Sequence, residues 1–492
     1  EELRCKVIGE GGNLGLTQRA RIQFHLQGGR INTDALDNSA GVDMSDHEVN
    51  LKILLNRVVQ DGEMTLDERN DLLREMTDEV STLVLHDNVS QSLAVSLDEI
   101  RSRESLDDFT VLIQALERDR LLNREKEDIP DSDGLAERRS AGLGLSRPTL
   151  CVLLAHAKMF AKAQLLASRV PDDPATESYL VRYFPPQAVE TAGPERLRGH
   201  RLRREIVTTQ LVNDLVDLMG SSFLHRVSRD TGNAIPDVVR AWLVASRVSG
   251  APEIRADLAR LEGRYPSETI YRWLGGLARV LEATTAWLLA NAPSDDATDA
   301  LIEEAQGGLA ALRGNFAKVV SGEDRALFLA RLGELQDLGV ERTLGERLIT
   351  LRFLPQLLEI VEVARRAGTD ELKAARAFYT VSERFGTAAL RERVREAAGR
   401  DPWERRFAQA LADDVQRAQR GLVQAVLAHN GGEGKRALDA VEKEHPRQVR
   451  AYRELYGEVR GGNCPLAAYA LAVHQLREVA ASAQARAAAR TS

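Results

Sequence analysis

The sequence predicts a mainly α chain, in which a short α/β segment at the N-terminus is followed by a large all-helical region. Two observations carry this expectation. Up to about Asn56, strand-like pieces alternate with glycine turns and a short helix, the order of a doubly wound sheet of which only the last part is present. From about Met64 onward, apolar residues recur at helix spacing and the strand grammar does not return.

The elements follow in order. Arg4 to Glu10, RCKVIGE, reads as a buried strand, and GGNLGL as the turn after it. Thr17 is placed to cap a helix QRARIQFHLQ, which Gly28 and Gly29 terminate. RINTDALDNSAGV gives a second strand and turn, after which SDHEVNLKILLN opens a helix at Ser45, with Glu48 completing a capping box. Thr65 and Glu68 form a further capping box. Leu72, Leu73, Met76, Val80, Leu83 and Val84 then read as the apolar stripe of one amphipathic helix. Helical patterns continue with Pro148 near a helix start, and with Pro355 opening and Gly368 closing LPQLLEIVEVARRAG. The polar stretch from Arg124 to Gly142 is the expected linker, and PSDDATD after Ala292 a loop. No fixed-period repeat is visible.

Bulk properties exclude several functions. A formal net charge of -8 repels a phosphate backbone, so nucleic acid is not an expected partner. Cys5, Cys151 and Cys464 are far apart and form no CxxC pair, which argues against a disulfide framework or structural zinc and for a reduced, cytoplasmic setting. Apolar runs such as LCVLLAHAKMF are interrupted by His and Lys short of the roughly 20 residues a membrane span needs, so no membrane partner is expected. The chain begins at Glu and runs straight into a strand-like segment, so it reads as part of a longer protein.

Two stretches could carry chemistry. In EGGNLGLTQRA, Gly11 and Gly12 would let backbone approach a ligand, and Asn13 offers both a donor and an acceptor. The GxGxxG spacing fails because Leu14 stands where a third glycine is needed, and a tight turn without a ligand explains the loop equally well. In DNSAGVDMSDHEVN, Asn38 precedes the small residues Ser39, Ala40 and Gly41; capping alone accounts for Ser45 and Glu48. His47 with Asp34, Asp37 and Asp43 invites a metal reading, but His47 and its acidic neighbours Asp46 and Glu48 do not share a helix face, so no metal site is expected. GGEGKR at Gly431–Arg436 lacks the spacing of a phosphate loop. RLRGHRLRRE at Arg196–Glu205 reads as a solvated face. His156 and His225 read as core or boundary residues, and Trp242, Trp273 and Trp287 as core.

Taken together, EGGNLGLTQRA and NTDALDNSAGVDMSDHEVN resemble the end of the catalytic region of the large bacterial NAD-specific glutamate dehydrogenases. Glu10, Gly11, Gly12 and Asn13 with Thr17 match the first family motif. Asn38 to Val42, then Ser45 and Glu48, match the second without a gap. Gly12 and the Ser39-Ala40 pair depart from the small enzymes' pattern. GLSRPTLCVLLAHAK and HRLRREIVTTQLVNDLV resemble the helical C-terminal region of the same subclass. The resemblance implies a Rossmann-like NAD-binding remnant and NAD-dependent oxidative deamination of L-glutamate to 2-oxoglutarate and ammonium. Asn13 and Asn38 would contact the nicotinamide ribose and carboxamide. Gly11, Gly12 and Gly41 would border the cofactor, Val42 would border the substrate, and Ser45 would bind the distal carboxylate of glutamate.

The implied organisation is 1–60 as the C-terminal part of the NAD-binding catalytic domain, 61–140 as a helical connection and 141–492 as a C-terminal helical domain. The catalytic Lys and Asp of the family have no counterpart here. The upstream catalytic region of the same polypeptide is therefore an implied partner, homo-oligomer formation is implied by the family, and the isolated chain is expected to be inactive. The alternative is a non-catalytic helical scaffold or a regulatory, oligomerisation module.

Overall fold

The computed structural model describes residues 3–292, 297–399, 401–429 and 434–491. The described residues are mainly helical. The only sheet among them is a parallel pair, β1 (Val7–Ile8) and β2 (Arg30–Ile31), with Val7 opposite Arg30 and Ile8 opposite Ile31. The strand expected over Arg4–Glu10 is thus reduced to two residues, and it is not buried: Val7 is 66% exposed. A doubly wound sheet needs helices over both of its faces. Here Ile31 of β2 is buried, while β1 stays at the surface.

The chain clusters into two compact units. The first comprises Glu1–Arg247 with Leu258–Leu301. Thr17 caps α1 (Gln18–Leu26), its side chain accepting from the Ala20 amide, and Gly28 follows at φ +91°. After β2 comes a single helical turn, α2 (Asp34–Asp37), and then α3 (Ser39–Gln60). The second strand-turn was expected to run to Val42, with a helix starting at Ser45. Instead, α3 begins at Ser39, so Ser45 lies inside a helix and caps nothing. The Asn38 backbone, at φ -94° and ψ 9°, is close enough to helical for α2 to run into α3. Glu48 pairs with Lys52 one turn on rather than reaching back to a cap.

The capping box of Thr65 and Glu68 is present at the start of α4 (Leu66–Glu75), both halves formed. The stripe read as one helix breaks at Met76, and α5 (Thr77–Glu104) begins with the acidic residues Asp78 and Glu79, as an N-terminal turn favours. α6 (Leu106–Arg118) follows. The expected linker is ordered: Arg124 pairs with Glu117 and α7 (Ser132–Ser140) forms within it, capped by Asp131. Ser146 then caps α8 (Arg147–Leu166), with Pro148 in its first turn.

α8 is long and apolar enough to cross a membrane by length and composition. Its Leu150, Leu153, Leu154, Ala161 and Leu165 are buried, and it packs against α1 and α5, as a core helix does. α9 (Glu177–Tyr183), α10 (Pro186–Arg198) and α11 (Arg203–Met219) complete the surroundings of α3 and α8. The basic run across α10 and α11 is ion-paired. Arg196 meets Asp61 and Glu63, Arg198 meets Glu177, and Arg203 and Arg204 meet Asp172.

The second unit comprises Val248–Asp257 with Ile302–Ser492, and the regular elements among its described residues are all helices. Its long helix Pro402–Leu427 packs against Leu466–Thr491, Thr387–Glu396 and Glu371–Phe385. Pro355 and Gly368 bound the helix Leu354–Ala367 as expected, Gly368 taking φ +61°. Residues 431–433 of GGEGKR and 293–296 of PSDDATD lie outside the described residues. Trp242 is a core residue at 1% exposure; Trp273 and Trp287 are half-buried.

Candidate functional site

The loop after β1 and the loop after β2 leave the same end of two parallel strands, the C-terminal end, where open α/β sheets place their ligands. At that end the side chains of Asn13 and Asn38 meet, the Asn38 Nδ2 donating to the Asn13 Oδ1 at 3.0 Å. The residues are 25 positions apart in the chain. Asn13 is exposed and Asn38 half-buried, so the pair lies at the surface.

The loop carrying Asn13 is held by charge. Glu10 is buried; its carboxylate accepts from Arg21 Nε at 2.6 Å, from Arg21 Nη2 at 2.9 Å and from the Leu16 amide at 3.0 Å. The Arg21 guanidinium holds the Glu10 carboxyl below the usual carboxylate range, and Glu10 in turn raises the pKa of Arg21. The Glu10 amide donates to Asp37 Oδ2 at 2.9 Å, and the Leu14 amide donates to Asp34 Oδ2 at 2.8 Å. Burial pushes the Asp34 carboxyl up, but the amides of Leu14 and Ala35 and the charge of Arg21 outweigh it and leave the pKa lowered. Leu14 sits at φ +64°, a left-handed conformation that a leucine adopts only when held there. The hydrogen bond that its amide donates to Asp34 supplies that hold. Asp34 and Asp37 are thus committed to the loop and do not converge with His47. Among the described residues, no three His, Cys, Asp or Glu side chains are grouped to hold a metal.

Small residues shape the space. Nothing lies within 4 Å of a Cβ built on Gly11 or on Gly12, so both face open space. Gly41 differs: a Cβ there would meet Asn38 Oδ1 at 2.8 Å. The glycine therefore leaves room for the Asn38 carboxamide itself. Asn38, just before α3, and Gly41, Val42 and Ser45 within it follow one another at helix spacing, and Gly41, Val42 and Ser45 are exposed, Val42 at 65%. The far side of α3 is buried. His47 stacks on Tyr183 with ring centroids 4.1 Å apart, and Asn50 Nδ2 donates to the Tyr183 hydroxyl at 2.9 Å.

Between these faces lies an acidic recess. Asp43 Oδ1 stands 3.9 Å from His47 Nε2. Burial pushes the Asp43 carboxyl up to about 7, with Asp87 and Asp46 adding to the effect; burial pushes the His47 imidazole down to about 4. His156 and His225 are lowered by burial as well, and His225 stacks on Phe160, as boundary residues do.

Sequence reasoning missed the supporting residues. Asn88 of α5 donates to Leu36 O at 3.0 Å and to Ser39 Oγ at 2.9 Å, fixing the start of α3. Arg147 Nε donates to Asn32 Oδ1 at 2.6 Å across 115 positions. The one local signal was the odd placement of Arg147: a cation in the first turn of a helix opposes the helix dipole.

The family model described as "Glutamate dehydrogenase, C-terminal" matches residues 142–478, and that described as "Bacterial NAD-glutamate dehydrogenase, catalytic domain" matches residues 1–98. The chain is 37% identical over 486 residues to the NAD-specific glutamate dehydrogenase of Halomonas elongata, covering 98% of this chain and 30% of that protein. It is 36% identical over 488 residues to the protein of the same name from Pseudomonas aeruginosa, covering 98% and 30%. For that of Mycobacterium tuberculosis the figures are 37% over 483 residues, 97% and 29%. The chain therefore spans about 30% of the length of the curated relatives it matches. By the first match, which takes in more than half of its residues, the chain belongs to the family described as "Glutamate dehydrogenase, C-terminal".

Proposed function

We propose that this chain is the C-terminal part of an NAD-dependent glutamate dehydrogenase, which converts L-glutamate to 2-oxoglutarate and ammonium, and that it supplies one wall of the cofactor and substrate site. The observation that carries this is the contact of Asn13 with Asn38 at the C-terminal end of two parallel strands. The coverage of the relatives and the two family matches support the part-of-an-enzyme reading. In it, residues 1–60 are the end of a Rossmann-like NAD-binding domain, 61–140 connect, and 141–492 form the helical C-terminal domain.

When bound, the cofactor would supply the hydride acceptor for oxidation at the α-carbon of glutamate. This chain's residues bind and orient. Bonded to each other, the two asparagines still have an Asn38 oxygen and an Asn13 amino group with capacity for a ribose hydroxyl or a carboxamide. Open space at Gly11 and Gly12 fits a cofactor passing close to the backbone. Val42 would border the substrate and narrow the access of water, and the Ser45 hydroxyl, further along the same face, would donate to the distal carboxylate. No residue is assigned a proton transfer. The reading is tested by Asn38→Ala in the intact enzyme: NAD affinity should fall by roughly one decade, the cost of leaving a polar partner unpaired. Unchanged NAD affinity and turnover would remove the pair from the site.

A further inference from the structure

The Asn13 loop is tied to α8 by a chain of four groups. Arg147, only 7% exposed, spends its guanidinium in two directions. Toward α5 it donates Nη1 to Ser96 Oγ at 2.9 Å, and Nη2 to Ser92 O at 3.0 Å and Ser92 Oγ at 3.2 Å. Toward β2 its Nε donates to Asn32 Oδ1 at 2.6 Å. Asn32 then donates Nδ2 to Asp37 Oδ1 at 2.7 Å, and Asp37 Oδ2 receives the Glu10 amide at 2.9 Å.

Each link sets the next. A carboxamide between a guanidinium and a carboxylate has one good orientation, with its oxygen toward the cation and its amino group toward the anion. Flipping it would set donor against donor and acceptor against acceptor. Arg147 therefore fixes Asn32, Asn32 occupies one oxygen of Asp37, and the other oxygen is left for the amide at the root of the loop. Asp37 is also the last residue of α2, directly before Asn38. The relay thus reaches both asparagines, one through the Glu10 amide and one through the backbone.

We propose that Arg147 is a positioning residue for the asparagine pair: it sets the geometry of Asn13 and Asn38 through Asn32 and Asp37 without touching cofactor or substrate. This rests on the reading of that pair as cofactor contacts. It gives α8 a part in cofactor binding, and it accounts for a cation placed against the dipole of its own helix. Lysine cannot replace it, because a single ammonium cannot span the Ser92, Ser96 and Asn32 acceptors in the plane that a guanidinium does.

The test uses the intact enzyme that contains this chain, with Arg147→Lys, Asn32→Ala and their combination, reading KM for NAD, KM for glutamate and the melting temperature. Each single change should raise KM for NAD roughly tenfold, as loss of a charge-assisted bond does, while KM for glutamate stays within about twofold. The double change should be no worse than the worse single one, since both cut the same chain. A lowered melting temperature with KM for NAD unchanged would overturn the proposal by leaving Arg147 a purely structural role, and additive effects in the double variant would overturn it too. If Arg147→Lys fails to fold, Asn32→Ala, at a half-buried loop position, decides on the same readout. Asn38→Ala separates the two levels. If it weakens NAD binding and the Arg147 and Asn32 changes do not, the relay alone falls; if it does not, the reading of the pair falls and the proposal with it.

Discussion

Gly41 leaves room for the carboxamide of Asn38: a Cβ at position 41 would stand 2.8 Å from Asn38 Oδ1, inside any normal contact. In a helix interior, alanine is favoured over glycine by about 1 kcal/mol, so on propensity alone position 41 of α3 should prefer Ala. The sequence keeps the less stable residue where the asparagine needs the room. Gly41→Ala should therefore hold or raise the melting temperature while weakening NAD binding in the intact enzyme, as is proposed for Asn38→Ala. Equilibrium binding of NAD beside a thermal melt checks this; an alanine variant with full NAD affinity would show that Asn38 can move without consequence.

Arg21 and Glu10 form the pair on which the loop is built. Removing the cation leaves a buried carboxylate with the Leu16 amide but no countercharge, so Arg21→Met should cost about 3 to 5 kcal/mol, read as a lowered urea midpoint. The pH dependence has a definite sign. The folded-state pKa of Glu10 is depressed, so the pair's stabilisation is present above the unfolded value and is lost as pH falls through the folded one. Glu10→Gln should lose that acid-side slope, and an unchanged slope would assign it to another carboxylate.

How much of this was legible in the sequence follows from how far apart the interacting residues are. Thr17 and Ala20, Thr65 and Glu68, and Pro355 with Gly368 lie within one helix or its caps, and their spacing alone placed them. Asn13 and Asn38 were singled out through a family pattern; the hydrogen bond between them was not foreseen, because nothing local encodes a contact across 25 positions. The same applies to Arg147 and Asn32. The break at Met76 was missed because its backbone is nearly helical, φ -83° and ψ 1°, so the apolar stripe continues across it; only the acidic pair Asp78 and Glu79 marked a new start. Ser45 looked like a cap because S-x-x-E is a capping spacing, but the helix had already begun at Ser39.

His47 and Asp43 should be nearly silent in the pH dependence of stability as long as both are present. Between about pH 4 and 6.5 the unfolded chain carries one proton on this pair, on the imidazole, and the folded chain also carries one, on the carboxyl. The proton counts match, so the slopes cancel. His47→Gln should unmask Asp43, whose raised pKa makes stability fall as pH rises from about 4 to 7, by up to about 1.4 kcal/mol per unit. Asp43→Asn should unmask His47, whose lowered pKa makes stability rise with pH from about 4 to 6.5. Urea melts at several pH values, each variant compared with the parent, check both signs; parallel curves for all three proteins would mean that the pair titrates normally.

Ser45 offers the sharpest separation of roles, because its position in mid-helix removes the capping explanation. It is exposed within α3, where alanine is the better helix former by a few tenths of a kcal/mol, so Ser45→Ala should leave stability unchanged or slightly raised. A residue with no other task would then show unaltered kinetics. If its hydroxyl donates to the distal carboxylate of glutamate, the same change removes a charge-assisted hydrogen bond of about 1.5 to 3 kcal/mol. In the intact enzyme kcat/KM for glutamate should then fall by roughly one to two decades while NAD affinity holds. Ser45→Asp adds a like charge opposite the substrate carboxylate and should be worse than alanine in glutamate kinetics, with the effect easing at higher ionic strength as screening predicts. Normal glutamate kinetics in both variants would move the carboxylate contact off this face of α3. The NAD assignment to Asn13 and Asn38, which rests on a separate contact, would stand.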